Sequence, residues 1–278
     1  MSKIKLKQKK DGGKILYGVL QLYKNRGETP LECIKRFKKD NLEYENDKMT
    51  YAGRLDPLAE GLLLVLVGEE CKNKEKYLGL DKEYEVDLLL GFSTDTYDVL
   101  GKVVSCLCEQ SEAIQNYNKN NTRLLHFARK DMQENLNSFV GKFSQKYPAY
   151  SSKTIKGKPL FEYAKEGGLE EEDIPEKEVE IKNIDFIGER LISKKELEVY
   201  IKESIGLVSG DFRQKEILKS WEDNLKKSHL SEYKIISIKV VCTSGTYMRS
   251  LANSFGLKVD IPTLAFNIKR IKIGFFEL

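Results

Sequence analysis

Six apolar residues run without interruption from Leu62 to Val67. A run so short and so uniformly apolar reads as a buried strand, which any fold of this chain has to cover. Immediately before it stands Tyr51-Ala-Gly-Arg-Leu-Asp-Pro-Leu-Ala-Glu-Gly-Leu62, in which one carboxylate, Asp56, is held between Arg54 and Pro57 with glycines at 53 and 61. Two further strands follow a period of two. Tyr84, Val86, Leu88 and Leu90 share one face, and Ile236, Ile238, Val240 and Cys242 share another. The second passes through Thr243-Ser-Gly-Thr246 into a helix carrying Met248, Leu251, Ala252 and Phe255 on one side, with Gly256 as its expected C-cap.

Thr29-Pro-Leu-Glu32 combines a capping box with proline at the first helical position, and Leu31, Ile34 and Phe37 give that helix its apolar face. Ile15–Tyr23 is apolar enough for a strand, residues 124–139 are helix-like, and Ser193-x-x-Glu196 opens another helix. Ile217, Trp221 and Leu225 form a core-packing stripe on one more. Glu109–Thr122 reads as a loop or a helix opening, and Gly141–Gly168 as a long irregular segment of the kind that is functional or disordered. Strands interspersed with helices, without a βαβ rhythm, predict an α+β fold with a mixed or antiparallel sheet. Residues 1–13 read as a basic flexible tail, and 14–278 as one domain without repeats or an evident linker.

The 278 residues are 40% hydrophobic and 32% charged with a mean hydropathy of −0.47, enough for a real core and a water-facing surface. No apolar run approaches a membrane span and no signal peptide opens the chain, so the cytoplasm is the expected compartment. The net charge of +4 hides separated basic groups at Lys3–Lys10, Lys35–Lys39 and Lys269–Lys272, a spacing suited to a phosphate backbone or simply to solvated faces. Five cysteines without framework spacing read as reduced thiols, and with only two histidines no zinc site is expected.

Nucleotide-binding glycine loops and the nucleophile elbow are absent from the sequence, and His126 and His229 sit in polar surroundings. Asp56, Tyr84 and Arg249 remain, each at the end or edge of an apolar element. Taken alone, Asp56-Pro57 is an ordinary turn, Tyr84 a core residue and Arg249 a partner for any surface acid. Taken together they suggest a carboxylate kept ionised by an arginine beside an aromatic face.

These residues lie in motifs that resemble, in order, those of the TruB family of tRNA pseudouridine synthases. The motifs are Gly18-Val-Leu-x-Leu-Tyr-Lys24-Asn-x-Gly-x-Thr29, Ala52–Leu63, and Lys82-Glu-Tyr84-Glu-Val with Gly91-x-x-Thr-Asp-Thr-Tyr-Asp98 and Gly101. They continue with Phe139-x-Gly-x-Phe-x-Gln-x-Tyr147-Pro-Ala-Tyr150-Ser-Ser-Lys153, Gly157–Gly167, Cys242–Leu251, Thr263-Leu264 and Arg270-x-Lys-Ile-Gly-x-Phe276. The resemblance implies a pseudouridine synthase catalytic fold, with a mainly antiparallel mixed sheet, flanking helices and a thumb-like RNA-binding loop at 141–168. It implies Asp56 as the catalytic carboxylate, attacking C1′ or taking the C2′ proton, Arg249 as its partner, and Tyr84 stacking on a uridine flipped out of the RNA. Lys24, Tyr51, Arg54, Tyr147, Tyr150, Lys153, Lys156, Lys158, Leu264 and Arg270 are the implied RNA contacts. Neither metal nor cofactor is implied. The implied substrate is the T-loop uridine of tRNA, position 55, met as a T-stem-loop by a monomer. The same reaction on another RNA, or a catalytically silent RNA-binding and tRNA-folding chaperone, are the alternatives. Tyr51 and Arg54 replace the family's usual His and Thr, Asn25 follows Lys24 where the family has proline, and Tyr147 replaces the first of two prolines. These changes touch RNA contacts more than chemistry. No C-terminal PUA domain is expected, and about 191–231 reads as an insertion in which Arg213 or the lysines meet RNA or serve as scaffold.

Overall fold

The structure is a computed structural model that describes residues 9–11, 14–16, 18–107, 129–168 and 170–278. Most of the expected basic tail, the segment 109–122, residues 124–128 and His126 lie outside the described residues. The strands are β1 (Lys9–Asp11), β2 (Lys14–Leu16), β3 (Val19–Lys24), β4 (Met49–Ala52), β5 (Glu60–Val67), β6 (Lys82–Leu90), β7 (Phe92–Thr94) and β8 (Val103–Cys106). They continue with β9 (Gly141–Lys146), β10 (Thr154–Ile155), β11 (Lys158–Pro159), β12 (Glu176–Ser193), β13 (Glu232–Cys242), β14 (Thr263–Ile273) and β15 (Phe276–Glu277). The α-helices are α1 (Pro30–Asp40), α2 (Lys74–Leu78), α3 (Arg129–Asn137), α4 (Leu160–Glu166), α5 (Lys194–Leu207), α6 (Gln214–Lys227) and α7 (Met248–Val259).

The main sheet has the order β3-β5-β14-β6-β13-β12-β9, with β4 also on β5 and β15 on β14. Every pairing in it is antiparallel except β5 with β14, where Gly61 stands opposite Arg270. The architecture is therefore α+β with a mixed, mainly antiparallel sheet. Gly61 is demanded by that parallel contact: its φ is +109°, and a Cβ there would lie 2.3 Å from the Arg270 carbonyl oxygen.

The alternation in β6 and β13 sorts the core into two layers. Tyr84, Val86, Leu88 and Leu90 meet Ile236, Ile238, Val240 and Cys242 on one face, covered by Met248, Leu251, Ala252 and Phe255 of α7 and by Met132 and Leu136 of α3. On the other face Leu89, Ile235 and Tyr233 pack with Phe92, Phe266 and the α5–α6 pair through Leu197, Ile201, Ile205, Ile217, Trp221 and Leu225. The residues expected to form an insertion thus close one side of the sheet. The run in β5 is buried from Gly61 to Val67, with Leu63, Val65 and Val67 against α1 and Leu62, Leu64 and Leu66 on the opposite face.

Both capping boxes form, Thr29 with Glu32 and Ser193 with Glu196. Three local expectations are corrected. Leu31 is 59% exposed, and Pro30, Cys33, Ile34 and Phe37 are the residues of α1 that face the core. Gly256 lies inside α7, which runs on to a left-handed cap at Asp260; a Cβ on Gly256 would stand 2.7 Å from the Ile261 carbonyl oxygen, so the glycine lets the chain fold back on its own helix. The segment 141–168 is not irregular throughout, since β9 pairs with β12, β10 with β11, and α4 follows. Polar side chains alternate along β9 because it is the outermost strand of the main sheet, which disguised it. Cys33, Cys71 and Cys242 are free thiols, but Cys106 is disulfide-bonded, against the expectation of reduced thiols throughout. Among the described residues no helix is long and apolar enough to cross a membrane.

Candidate active site

A cleft of about 670 Å³ opens over the end of the sheet, and Asp56, Tyr84 and Arg249 all line it. They arrive from the turn before β5, the start of β6 and the first turn of α7. Arg249 donates from Nε to Asp56 Oδ2 at 2.7 Å and from Nη2 to Asp56 Oδ1 at 2.9 Å, a two-pronged pair. Its Nη1 donates to the Thr96 carbonyl at 3.0 Å. The Arg249 side chain is 4% exposed and the Asp56 side chain 34%, so the cation is buried and one part of the carboxylate remains open to the cleft. Burial opposes the arginine's charge, but the attraction of Asp56 and then Asp98 outweighs it and raises its pKa.

Asp98 completes the charge group, with Oδ2 3.8 Å from Arg249 Nε. Its Oδ1 accepts from Thr96 Oγ1 at 2.6 Å and from the Leu100 amide at 2.9 Å. Burial pushes its carboxyl up to about 6, against the pull of Arg249. The turn that carries it is tight: a Cβ on Gly101 would lie 2.3 Å from Thr96 Oγ1.

The Asp56 loop hangs between two buried cations. Arg270, 1% exposed, donates to the carbonyls of Leu62, Arg54 and Gly53 at 2.8, 3.0 and 3.2 Å. Lys24, 0% exposed, donates to those of Ala59, Asn25 and Pro57 at 2.6, 2.9 and 3.1 Å. Burial lowers the Lys24 pKa to about 8. Tyr84 stands beside Arg270 in register, and burial raises the pKa of its hydroxyl. Lys82 also lines the cleft, its ammonium spent on the carbonyls of Leu78 and Leu80 at 2.6 and 2.5 Å and its pKa lowered to about 8 by burial and by Arg270.

Three expected RNA contacts are corrected by this geometry. Lys24 and Arg270 are buried with their donors turned to neighbouring loop carbonyls, Arg270 within the cleft lining. Leu264 is 0% exposed in the core beside Phe92 and Trp221. The others stand nearer solvent. Tyr51 and Arg54 line the cleft 6.0 Å apart, ring to guanidinium. Tyr150 also lines the cleft, while Tyr147 meets Tyr247 edge-on at 5.5 Å with Lys153 5.2 Å above its ring. Lys153 and Lys156 are exposed; Lys158 is paired with Glu166 at 2.5 Å. Asp98, Thr96, Lys82, Tyr247 and Arg213 were not singled out for the catalytic group from sequence. Asp98 and Thr96 stood inside the quoted Gly91–Gly101 motif, so that motif carried the signal for both.

The TruB family pseudouridylate synthase (N terminal domain) profile matches residues 39–207, more than half of the chain. The chain belongs to the TruB family. Its sequence is 27% identical over 264 residues to tRNA pseudouridine synthase B of Lactobacillus acidophilus, covering 95% of this chain and 71% of that one. It is 30% identical over 261 residues to the enzyme of the same name from Ligilactobacillus salivarius, covering 94% and 68%. Among solved structures, a chain of a Cbf5-Nop10-Gar1 complex superposes with a TM-score of 0.53 at 16% identity, over 94% of this chain and 50% of that one, a likeness of fold. For a TruB-family chain the arrangement has a direct chemical sense: it holds one carboxylate, oriented by a buried arginine, in the lining of a cleft of about 670 Å³.

Proposed function

We propose that this chain isomerises uridine to pseudouridine in tRNA, at the T-loop uridine, with Asp56 as the catalytic carboxylate. The observation that carries the reading is the two-pronged Arg249–Asp56 pair in the cleft lining. A buried guanidinium that spans both carboxylate oxygens fixes the direction of the acid, while leaving it accessible from the cleft. A silent RNA-folding protein has no use for such a group.

The target uridine enters by leaving the RNA stack, since its glycosidic bond is out of reach inside it. Asp56 either attacks C1′ or removes the C2′ proton; in both routes the C1′–N1 bond breaks and the electron pair goes to the base. The base turns and C5 bonds to C1′, as the Asp56–C1′ bond breaks in the first route or the proton returns to C2′ in the second; C5 then loses its proton and N1 gains one, so atoms balance without a redox partner. Tyr84 offers its ring to the base and its hydroxyl to the proton transfer at C5. Tyr51, Arg54, Tyr147, Lys153 and Lys156 hold the surrounding RNA through stacking and phosphate contacts. The enzyme acts as a cytoplasmic monomer.

An unmodified tRNA transcript tests this. Pseudouridine should form at the T-loop uridine with the natural chain and not with Asp56→Asn, which keeps the shape of the side chain but not its charge. Equal product from both would remove Asp56 from the chemistry. Product at a different uridine would move the substrate and leave the reaction.

A further inference from the structure

The α5–α6 pair does more than close one side of the sheet. Its connection, residues 208–213, reaches the cleft wall with Asp211, Phe212 and Arg213. Arg213 adopts a left-handed backbone, φ 59°, which a non-glycine residue holds only where its surroundings insist. Its guanidinium donates to Asp95 from Nη1 at 2.7 Å and from Nη2 at 3.3 Å, and it lies 4.0 Å over the Tyr150 ring. The Arg213 side chain is 13% exposed. Asp211 meets Lys165 of α4 at 3.1 Å. The connection therefore joins the turn of Thr96 and Asp98 to the thumb segment. It cannot drift from that turn, because Trp221 Nε1 donates to the Val99 carbonyl at 3.2 Å and Ser220 Oγ accepts from the Val103 amide at 3.0 Å.

A planar guanidinium fixed by a carboxylate and laid on one face of a tyrosine leaves the other face for a ligand. Tyr84, Asp56 and Tyr150 all line the same cleft. We propose that Arg213 is a positioning residue for RNA: held by Asp95, it fixes the Tyr150 ring as a stacking platform for the nucleoside next to the flipped uridine. The proposal rests on the pseudouridine synthase reading of the same site. It gives the helical pair a task in substrate recognition, where a purely structural role would leave RNA binding untouched.

The test uses the full chain carrying Asp56→Asn, which binds without turnover, and T-stem-loop RNAs with 2-aminopurine on one side or the other of the target uridine. Stacking on Tyr150 should quench one of these fluorophores. Arg213→Gln and Arg213→Lys should each abolish the quench and weaken Kd about tenfold, the scale of one lost base–aromatic stack. In the chain with Asp56 intact, both should raise KM about tenfold and lower kcat by less than about threefold. Arg213→Lys retains a charge for Asp95 but not the flat stack. Wild-type Kd and quench in that variant would overturn the proposal, as would quenching at neither neighbour, or a lowered melting temperature with KM unmoved. Absence of pseudouridine from every tRNA transcript would instead defeat the reading of the site, an outcome the fluorescence experiment does not depend on.

Discussion

Arg249→Lys isolates the geometry of the central pair from its charge. The arginine spans both oxygens of Asp56 at 2.7 and 2.9 Å and also holds the Thr96 carbonyl at 3.0 Å. An ammonium keeps the charge but cannot reach all three acceptors from one nitrogen in that plane. Loss of one hydrogen bond to a charged group costs about 1.5–3 kcal/mol. The Asp56 side chain is 34% exposed, so solvent screens the pair and the lower half of that range applies, about 2 kcal/mol. At about 1.4 kcal/mol per factor of ten, the isomerisation step should slow roughly 30-fold. Arg249 is 3% exposed and turned toward protein groups, so the RNA Kd should stay within about threefold. Single-turnover release of tritium from C5 of the uridine reads the chemical step, and filter binding reads the affinity. A release rate within threefold of the natural chain, or a loss confined to Kd, would refute the assignment of Arg249 to the carboxylate.

Lys24→Met should lose about 1–3 kcal/mol of stability in urea unfolding and slow turnover with RNA affinity kept, because the buried Ala59 carbonyl loses its Lys24 donor while those of Asn25 and Pro57 keep the Glu28 and Gly27 amides. A fall in affinity with stability intact would restore Lys24 to the RNA surface. Asp98 predicts a pH dependence of folding. Its folded-state pKa of about 6 lies above the ordinary 3.8, so the folded chain holds the proton more tightly. Its contribution is therefore fully present below about pH 4 and lost as pH rises through 6, a change of about 3 kcal/mol. Asp98→Asn removes that dependence: relative to the natural chain it should gain about 3 kcal/mol between about pH 4 and about pH 7. A constant difference between the two chains would show that Asp98 does not titrate in this window.

What could be read from the sequence was whatever depended on neighbours a few residues away. Alternation in Tyr84–Leu90 and Ile236–Cys242 declared strands and their inward faces, and Thr29 and Ser193 declared helix starts, since those effects act within a turn or a pleat. Motif order brought Asp56, Tyr84 and Arg249 together, although 193 residues separate the first from the last. The failures share one cause. Lys24 and Arg270 were expected on RNA because a cation's ordinary place is solvent. Their acceptors lie up to 35 and up to 217 residues away, and no local pattern announces that three carbonyls will be waiting. Gly256 failed in the same way, its reason being the carbonyl of a residue beyond the helix end. The amphipathic stripe of Ile217, Trp221 and Leu225 was legible as packing, but not which face of the sheet it would cover. That face decides which residues line the cleft. By covering the side that carries Phe92 and Val99, the pair brings Arg213 to Asp95 and Tyr150, and so turns an apparent insertion into part of the cleft wall.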